Sequence, residues 1–67
     1  MQLSTRNQLE GAVTAVSLGG IMAEVTVDIG GQQIVAAITR GSAEELALAE
    51  GDAVTVLIKA TEVMLGK

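Results

Sequence analysis

The sequence predicts an all-β fold, a small barrel of five short strands with one short helix between the third and fourth strands. Residues 23–29 alternate between apolar and polar side chains, which is typical of a strand with one buried and one solvated face. Residues 34–39 and 54–58 are largely apolar on both faces, as expected of strands that are covered on both sides. A helix-capping signature lies between these two strands.

The length of the chain predicts one domain, residues 1–67, with a small core. Hydrophobic residues make up 49% of the chain, yet it contains no Phe, Tyr or Trp to anchor a core and no Cys for disulfides. Ordering a chain of this size costs roughly 100 kcal/mol at about 1.5 kcal/mol per residue. We therefore expect association between copies of the chain to supply part of the stability.

The first strand is expected over residues 8–16, with Gly11 inside it. A glycine within a strand often marks a bulge or a bend, and a small barrel needs such bends to curl its sheet. We therefore expect a bulge or a sharp bend at Gly11. Residues 17–20 contain a serine and two glycines and are expected to form the loop that follows.

The second and third strands, residues 23–29 and 32–39, are separated by Gly30 and Gly31. Both central positions of a type I′ turn require a positive φ, which glycine adopts without steric cost. The two strands are therefore expected to form a β-hairpin.

The helix is expected to start after Ser42, because Ser42 and Glu45 have the spacing of a capping box. It would continue through residues 46–48. Gly51 suits the left-handed position that follows many helices, so we expect the helix to stop there.

Two further strands are expected after the helix, the fourth over residues 54–58 and the fifth over residues 63–65. Three strands, a helix and two strands is the element order of the OB-fold, a five-stranded Greek-key barrel. The sequence therefore predicts an OB-fold-like barrel.

The charge and the apolar pattern exclude several classes of partner. A net charge of −4 argues against a nucleic-acid partner, because phosphate contacts need a basic surface, and the stacking aromatic residues that bind single strands are missing. No stretch approaches the roughly 18 apolar residues of a membrane span, and the first residues lack the apolar region of a secretory signal. We expect a cytoplasmic protein with no membrane partner, which the absence of cysteine also fits.

An enzyme is not expected from this composition. Since His and Cys are absent, the catalytic candidates are carboxylates, hydroxyls and lysines, and no pair of them has a recognisable catalytic spacing. We expect no catalytic residues and no side chains that ligate a metal cation directly. A purely structural oligomer remains an alternative, and it would have no affinity for an oxyanion.

Hydrogen-bond donors cluster immediately before the first strand, in the segment Ser4-Thr5-Arg6-Asn7. An oxyanion presents only acceptors, so its site is built from hydroxyls, backbone N–H groups, Arg and Lys. Two other segments supply such donors, Thr39-Arg40-Gly41-Ser42 and Lys59-Ala60. The sequence therefore predicts an oxyanion site to which three segments contribute.

Each of these residues also has a simpler structural interpretation. Ser42 fits the N-cap of the helix, and Thr39 fits the end of a strand, where β-branched residues are common. Arg6 and Lys59, taken singly, are more often solvated surface charges. Spacing alone does not decide between the two interpretations.

The sequence resembles the molbindin, or Mop, family of molybdate-binding domains along nearly its whole length. The segment Ser4-Thr5-Arg6-Asn7-Gln8-Leu9-Glu10-Gly11 is similar to the family's opening motif Ser-Ala-Arg-Asn-Gln-Leu-x-Gly, with Thr5 in place of the usual Ala. This change keeps the backbone donor and adds a methyl and a hydroxyl group. Two later segments resemble the family's middle and carboxy-terminal signatures: Ala37-Ile38-Thr39-Arg40-Gly41-Ser42-Ala43-Glu44-Glu45-Leu46 and Leu57-Ile58-Lys59-Ala60-Thr61-Glu62-Val63-Met64-Leu65-Gly66.

The resemblance implies a cytoplasmic protein that assembles as a hexamer, a trimer of dimers, and binds molybdate or tungstate between subunits without an organic cofactor. Its role would be molybdenum storage or homeostasis. The implied oxyanion ligands are Ser4, Thr5, Arg6, Thr39, Ser42, Lys59 and the backbone amide of Ala60, with Lys59 and Ala60 expected from a neighbouring subunit. The family also has a second class of site near the threefold axes, whose residues this sequence does not identify.

The same resemblance leaves a regulatory role open. Such domains also occur as the sensing part of molybdate-responsive transcription regulators and as the regulatory tail of molybdate-import ATPases. Those proteins carry other domains, so the extent of the whole gene product would separate storage from regulation.

Overall fold

The computed structural model describes residues 4–67 as one antiparallel sheet of four strands in the spatial order β3-β2-β1-β4. The elements in chain order are β1 (Asn7–Leu18), β2 (Met22–Ile29), β3 (Gln32–Thr39), α1 (Arg40–Glu45), β4 (Ala53–Ile58) and a 3₁₀ turn (Ala60–Glu62). Because β4 returns to lie beside β1, this is the strand order of a Greek key. The predicted all-β fold, with a helix between the third and fourth strands, is confirmed.

Strand β1 has its bulge between Val13 and Ala15, so Thr14 is the extra residue opposite β2. The bulge shifts the alternation of inward and outward side chains. Val13 is buried, and the next β1 side chain to pack against the core is Val16, three positions later. Strand β1 also extends to Leu18, so the loop that follows is shorter than expected.

The bulge of β1 lies at Thr14 rather than at Gly11, and the glycine at position 11 is explained by a close approach of β2. A Cβ atom at Gly11 would lie 2.5 Å from the Asp28 carbonyl oxygen and 2.8 Å from Cγ1 of Val27. Close approach of another backbone is the second common reason for a glycine inside a strand. We conclude that only glycine fits here without moving β2.

The hairpin between β2 and β3 forms as predicted. Gly30 and Gly31 have φ values of 57° and 94°, the positive values that a type I′ turn requires. Ile29 pairs with Gln32 across the turn. The predicted inward residues of β2 are buried: Ala23, Val25 and Val27.

The helix begins three residues earlier than expected, and its N-cap is Thr39 rather than Ser42. Thr39 has the extended backbone of an N-cap, and its hydroxyl accepts a hydrogen bond from the Ser42 N–H at 3.1 Å. Ser42 therefore lies in the first turn, and the predicted capping box with Glu45 does not form. Helix α1 ends at Glu45, the left-handed residue after it is Ala47 (φ 50°), and Gly51 belongs to the turn before β4.

The prediction of a fifth strand is wrong for the part of the chain that the structure describes. After β4 the backbone leaves the extended conformation and forms the 3₁₀ turn, closed by a hydrogen bond from the Glu62 N–H to the Lys59 carbonyl at 2.9 Å. The following Met64 and Leu65 are 92% and 95% exposed. Strands β3 and β4 are the two edges of the sheet, so the sheet is open rather than a closed five-stranded barrel.

The core is small and lies on one face of the sheet. Its centre is Val13, Val25 and Val27, each 2–3% exposed. Six partly buried side chains pack against this centre: Val16, Ile29, Ile38, Leu48, Val54 and Val56. The outward faces of β3 and β4 remain open, since Val35 and Leu57 are 59% and 45% exposed. One chain alone therefore does not cover these two strands on both sides.

Two kinds of feature are absent from residues 4–67. No helix there has the length and apolar character needed to cross a lipid bilayer. No three or more His, Cys, Asp or Glu side chains are grouped in a way that could hold a metal ion.

Candidate oxyanion-binding site

The pairing of β1 with β4 brings the first and third donor segments together within one chain. Asn7 lies opposite Ile58, so the residues just before β1 and just after β4 are neighbours. They line one cavity of about 270 Å³: Ser4, Thr5, Arg6, Lys59, Ala60 and Thr61. Lys59 and Ala60, expected from a neighbouring subunit, thus lie beside the first segment of their own chain.

The cavity contains donors of three kinds and no carboxylate. Its lining includes the Arg6 guanidinium, the Lys59 ammonium group and three hydroxyl side chains. Ala60 is the first residue of the 3₁₀ turn, where a backbone N–H has no acceptor within the turn. A ligand with acceptors only, such as an oxyanion, suits this set, and the two cations would make charge-assisted bonds to it.

The two cations in the cavity have no carboxylate partner among the described residues. The one ion pair between residues 4 and 67 joins Arg40 to Glu44, at 3.1 Å. Lys67 does not line the cavity. Glu62, which follows Thr61 in the 3₁₀ turn, does not line the cavity either. The lining is therefore positive although the net charge is −4, and carboxylates beyond a Debye length of about 8 Å are screened at physiological salt.

A larger cavity on the neighbouring surface has the opposite character. It measures about 590 Å³ and is lined by Gln8, Leu9, Glu10 and Thr55. It contains a carboxylate and no cation, so it would repel an anion. Size alone therefore does not identify the site, whereas the donor set does.

Thr39 and Ser42 lie at the other end of the sheet from the cavity. Thr39 pairs with Met22 at the start of β2, and Leu18 at the end of β1 lies next to this region through its pairing with Ala23. The cavity, in contrast, lies before the start of β1. A single chain therefore does not bring these two predicted site residues to the cavity.

The hydroxyls of Thr39 and Ser42 interact with each other. The two hydroxyl oxygens lie 2.8 Å apart and share one hydrogen bond, and Thr39 Oγ1 also accepts from the Ser42 N–H at 3.1 Å. Each hydroxyl has one hydrogen to donate, so the single bond between them uses one of the two hydrogens. The exposed pair therefore keeps one hydroxyl hydrogen for an anion.

Thr61 is the cavity residue that the sequence did not predict. It follows Lys59 by two positions, just as Ser4 precedes Arg6 by two positions. In both donor segments a hydroxyl side chain lies two residues from a cation. This pattern could have identified Thr61 as a candidate site residue.

Three comparisons with known proteins give concordant results. A family model described as the TOBE domain matches residues 3–65. The chain is 46% identical over 66 residues to molybdenum-pterin-binding protein 1 of Clostridium pasteurianum, covering 97% of both chains. It is similar to the solved structure of a molybdate binding protein from Sporomusa ovata, with 45% identity, a TM-score of 0.95 and full coverage of both chains. It is also similar to the cytoplasmic molybdate-binding protein ModG with molybdate bound, at 39% identity and a TM-score of 0.86, covering 90% of this chain and 43% of that one.

Proposed function

The chain belongs to the TOBE domain family and, within it, to the molbindins, and on this premise we propose that it binds molybdate for molybdenum storage or homeostasis. One observation carries the proposal: Arg6 and Lys59, neither paired with a described carboxylate, line the same cavity as three hydroxyl side chains. Molybdate is a tetrahedral dianion whose four oxygens accept hydrogen bonds. Since a charge-assisted bond contributes about 1.5–3 kcal/mol, a few such bonds suffice for tight binding.

The bare oxyanion is the proposed ligand, rather than molybdenum held on a pterin. The Clostridium pasteurianum relative is named for a molybdenum-pterin ligand. A pterin is a flat bicyclic ring, and such rings stack well on aromatic side chains, of which this chain has none. The donors in the cavity match the oxygens of molybdate instead. Tungstate, also a tetrahedral dianion, belongs to the same proposal.

We further propose that a second copy of the chain completes the site. Thr39 and Ser42 lie at the other end of the sheet from the cavity, so they can reach an anion bound there only from another subunit. In this arrangement one subunit supplies the cavity lining, namely Ser4, Thr5, Arg6, Lys59, Ala60 and Thr61. The partner subunit supplies the hydroxyls at the start of α1.

The proposed assembly is a hexamer, a trimer of dimers, with any second class of site near its threefold axes. The small core and the exposed apolar side chains support association, since Ile21, Leu46 and Val35 are 80%, 67% and 59% exposed. Both edges of the open sheet are also available for pairing. An anion bound across an interface would stabilise the assembly, because it binds the assembled state preferentially.

The location and the lack of a reaction are parts of the same proposal. ModG is described as cytoplasmic, and we propose the same compartment for this chain. We assign no catalytic role, since the donors in the cavity bind an anion without a group poised to transfer a proton or attack a bond.

A sensing role in a longer protein is the second candidate. This chain covers 43% of ModG, so the domain also occurs as part of longer chains. The extent of the full coding sequence distinguishes the two candidates, because a sensor requires an attached output domain.

Equilibrium dialysis of the purified protein against molybdate, with sulfate in large excess, tests the proposed ligand. We expect molybdate to be retained over the sulfate background. Native mass spectrometry with and without molybdate then counts subunits and anions in one measurement. Absence of retention would refute molybdate binding, and anions bound to a monomer would refute the shared site.

A further inference from the structure

Two side-chain amides at the start of β1 bond to the peptide groups that precede the two cations of the cavity. Gln8 Nε2 donates to the Thr5 carbonyl oxygen at 2.7 Å. Asn7 Nδ2 donates to the Ile58 carbonyl oxygen at 3.1 Å. Thr5 directly precedes Arg6, and Ile58 directly precedes Lys59.

These bonds orient the backbone from which the cations extend. The Thr5 carbonyl and the Arg6 N–H belong to one planar peptide group, and they point in opposite directions. A hydrogen bond that fixes the carbonyl therefore also fixes the direction of the Arg6 N–H and the position of its Cα atom. The same reasoning applies to Ile58 and Lys59.

The donor segments need such support because the strand ladder does not include them. Arg6 precedes β1 and Lys59 follows β4, so neither is a strand residue. The Gln8 side chain is exposed and lies outside the core. Its bond to Thr5 therefore contributes to local geometry rather than to apolar packing, and holding donors in place before the ligand arrives raises affinity by lowering the cost of ordering them.

We propose that Asn7 and Gln8 are positioning residues of the oxyanion site, which hold the Arg6 and Lys59 segments at a fixed separation without contacting the anion. This inference rests on the proposed function. Gln8 orders the first segment internally, and Asn7 ties that segment to the third one across the β1–β4 pair. The site is then rigid in the absence of ligand, despite lying outside the sheet.

The test is the molybdate affinity of Gln8→Met, which keeps the length of the side chain and removes the donor. We expect affinity to fall about three- to tenfold, the range for losing one neutral hydrogen bond. The matched control is Gln33→Met, the same change at an exposed residue of β3 far from the cavity in sequence. The control should bind molybdate as the unsubstituted protein does.

Two readouts separate positioning from a general structural role. A double-mutant cycle should show coupling between Gln8→Met and Arg6→Ala, and none between Gln8→Met and Lys67→Ala. The dependence of affinity on salt should be the same in Gln8→Met as in the unsubstituted protein, because no charge is removed. Asn7→Ala provides an independent variant, with a loss of similar size and coupling to Lys59→Ala.

Each outcome bears on the inference. Loss of affinity at unchanged subunit number and melting temperature, with the expected coupling, supports it. Affinity equal to that of the unsubstituted protein overturns it, as does a loss that appears equally in Gln33→Met or only together with dissociation of the oligomer. If the unsubstituted protein itself does not bind molybdate, both the proposed function and this inference are wrong. Measuring the affinity of the unsubstituted protein first distinguishes this case from a failure of the inference alone.

Discussion

The two ends of strand β1 carry similar residue types but differ in how their polar groups are used. At the amino end, Arg6 and Lys59 line a cavity with no carboxylate in its lining. At the carboxyl end, Arg40 is bonded to Glu44 at 3.1 Å and to the Gly19 carbonyl at 3.0 Å. The hydroxyls there are engaged too, since Thr39 caps the helix.

A donor-rich motif is therefore a candidate site only where its donors are not already bonded. Within residues 4–67 the two cations at the amino end have no carboxylate partner, so they keep their hydrogen-bonding capacity for a ligand. Arg40 at the carboxyl end instead holds the turn and the helix start in place. Ser42 is the exception at that end, because its exposed hydroxyl does not cap the helix and the Thr39–Ser42 pair keeps one hydroxyl hydrogen.

Replacing either cation of the cavity should have the largest effect on binding. Arg6→Ala or Lys59→Ala removes charge-assisted bonds to the anion, so molybdate affinity should fall roughly 10- to 150-fold, with the smaller loss at high salt. Both residues lie outside the core, so the fold should be retained. Isothermal titration calorimetry measures the affinity, and circular dichroism checks the fold.

Lys67→Ala is the matched control for these variants, because it removes one cation that does not line the cavity. It should bind molybdate normally. If Lys67→Ala weakened binding as much as Arg6→Ala, the cavity would have no special role and only net charge would matter.

Thr39→Ala should lower stability more than any other change at the carboxyl end. It removes the side chain that accepts from the Ser42 N–H, and loss of an N-cap typically costs about 1 kcal/mol, in the range 0.5–2. Urea denaturation at a fixed protein concentration measures the change. Thr39→Ser keeps the hydroxyl and should stay close to the unsubstituted protein; equal losses in both variants would exclude the capping role.

Ser42→Ala should weaken molybdate binding about two- to tenfold while leaving stability nearly unchanged. Its exposed hydroxyl bonds to the Thr39 hydroxyl and does not cap the helix, so the fold depends on it little, whereas an anion shared between subunits would lose one donor. Dialysis at several protein concentrations gives the affinity. Unchanged affinity would mean that α1 of the partner does not reach the site.

Glu44→Gln should have the smallest effect. The pair with Arg40 is exposed and spaced i,i+4, and such pairs contribute only about 0.3–0.5 kcal/mol. Removing the carboxylate should lower the unfolding free energy by no more than this, with less effect at high salt. A large gain in molybdate affinity instead would show that Arg40 belongs to the site once Glu44 no longer holds it.

Local sequence signals predicted the elements where one interaction dominates. The alternation in β2 and the Gly30-Gly31 turn were sufficient to predict the hairpin. Burial of one face of the strand and the positive φ of the two glycines both favour that structure. Gly11 was misinterpreted because its reason is non-local: the Asp28 backbone approaches from another strand. The helix start was predicted three residues too late, because Thr39 and Ser42 are both good N-cap residues. In the structure the N-cap is Thr39, the last residue of β3.

For the candidate site, too, the sequence predicted some features and not others. Composition and motif predicted its chemistry, since an anion site needs hydroxyls, Arg and Lys, and the chain has few cations. The sequence also indicated, through the missing aromatic core, that the chain would leave apolar surface exposed, as Ile21 and Leu46 now do.

Only the tertiary structure decided which donors meet. The pairing of Asn7 with Ile58 brings together segments more than 50 positions apart, and Thr39 and Ser42 are left at the other end of the sheet. Register and strand order depend on contacts between distant segments, which a local pattern does not encode. Residue types alone therefore indicated the kinds of groups in the candidate site, whereas the fold decided that one chain gathers the two cations without the helix hydroxyls.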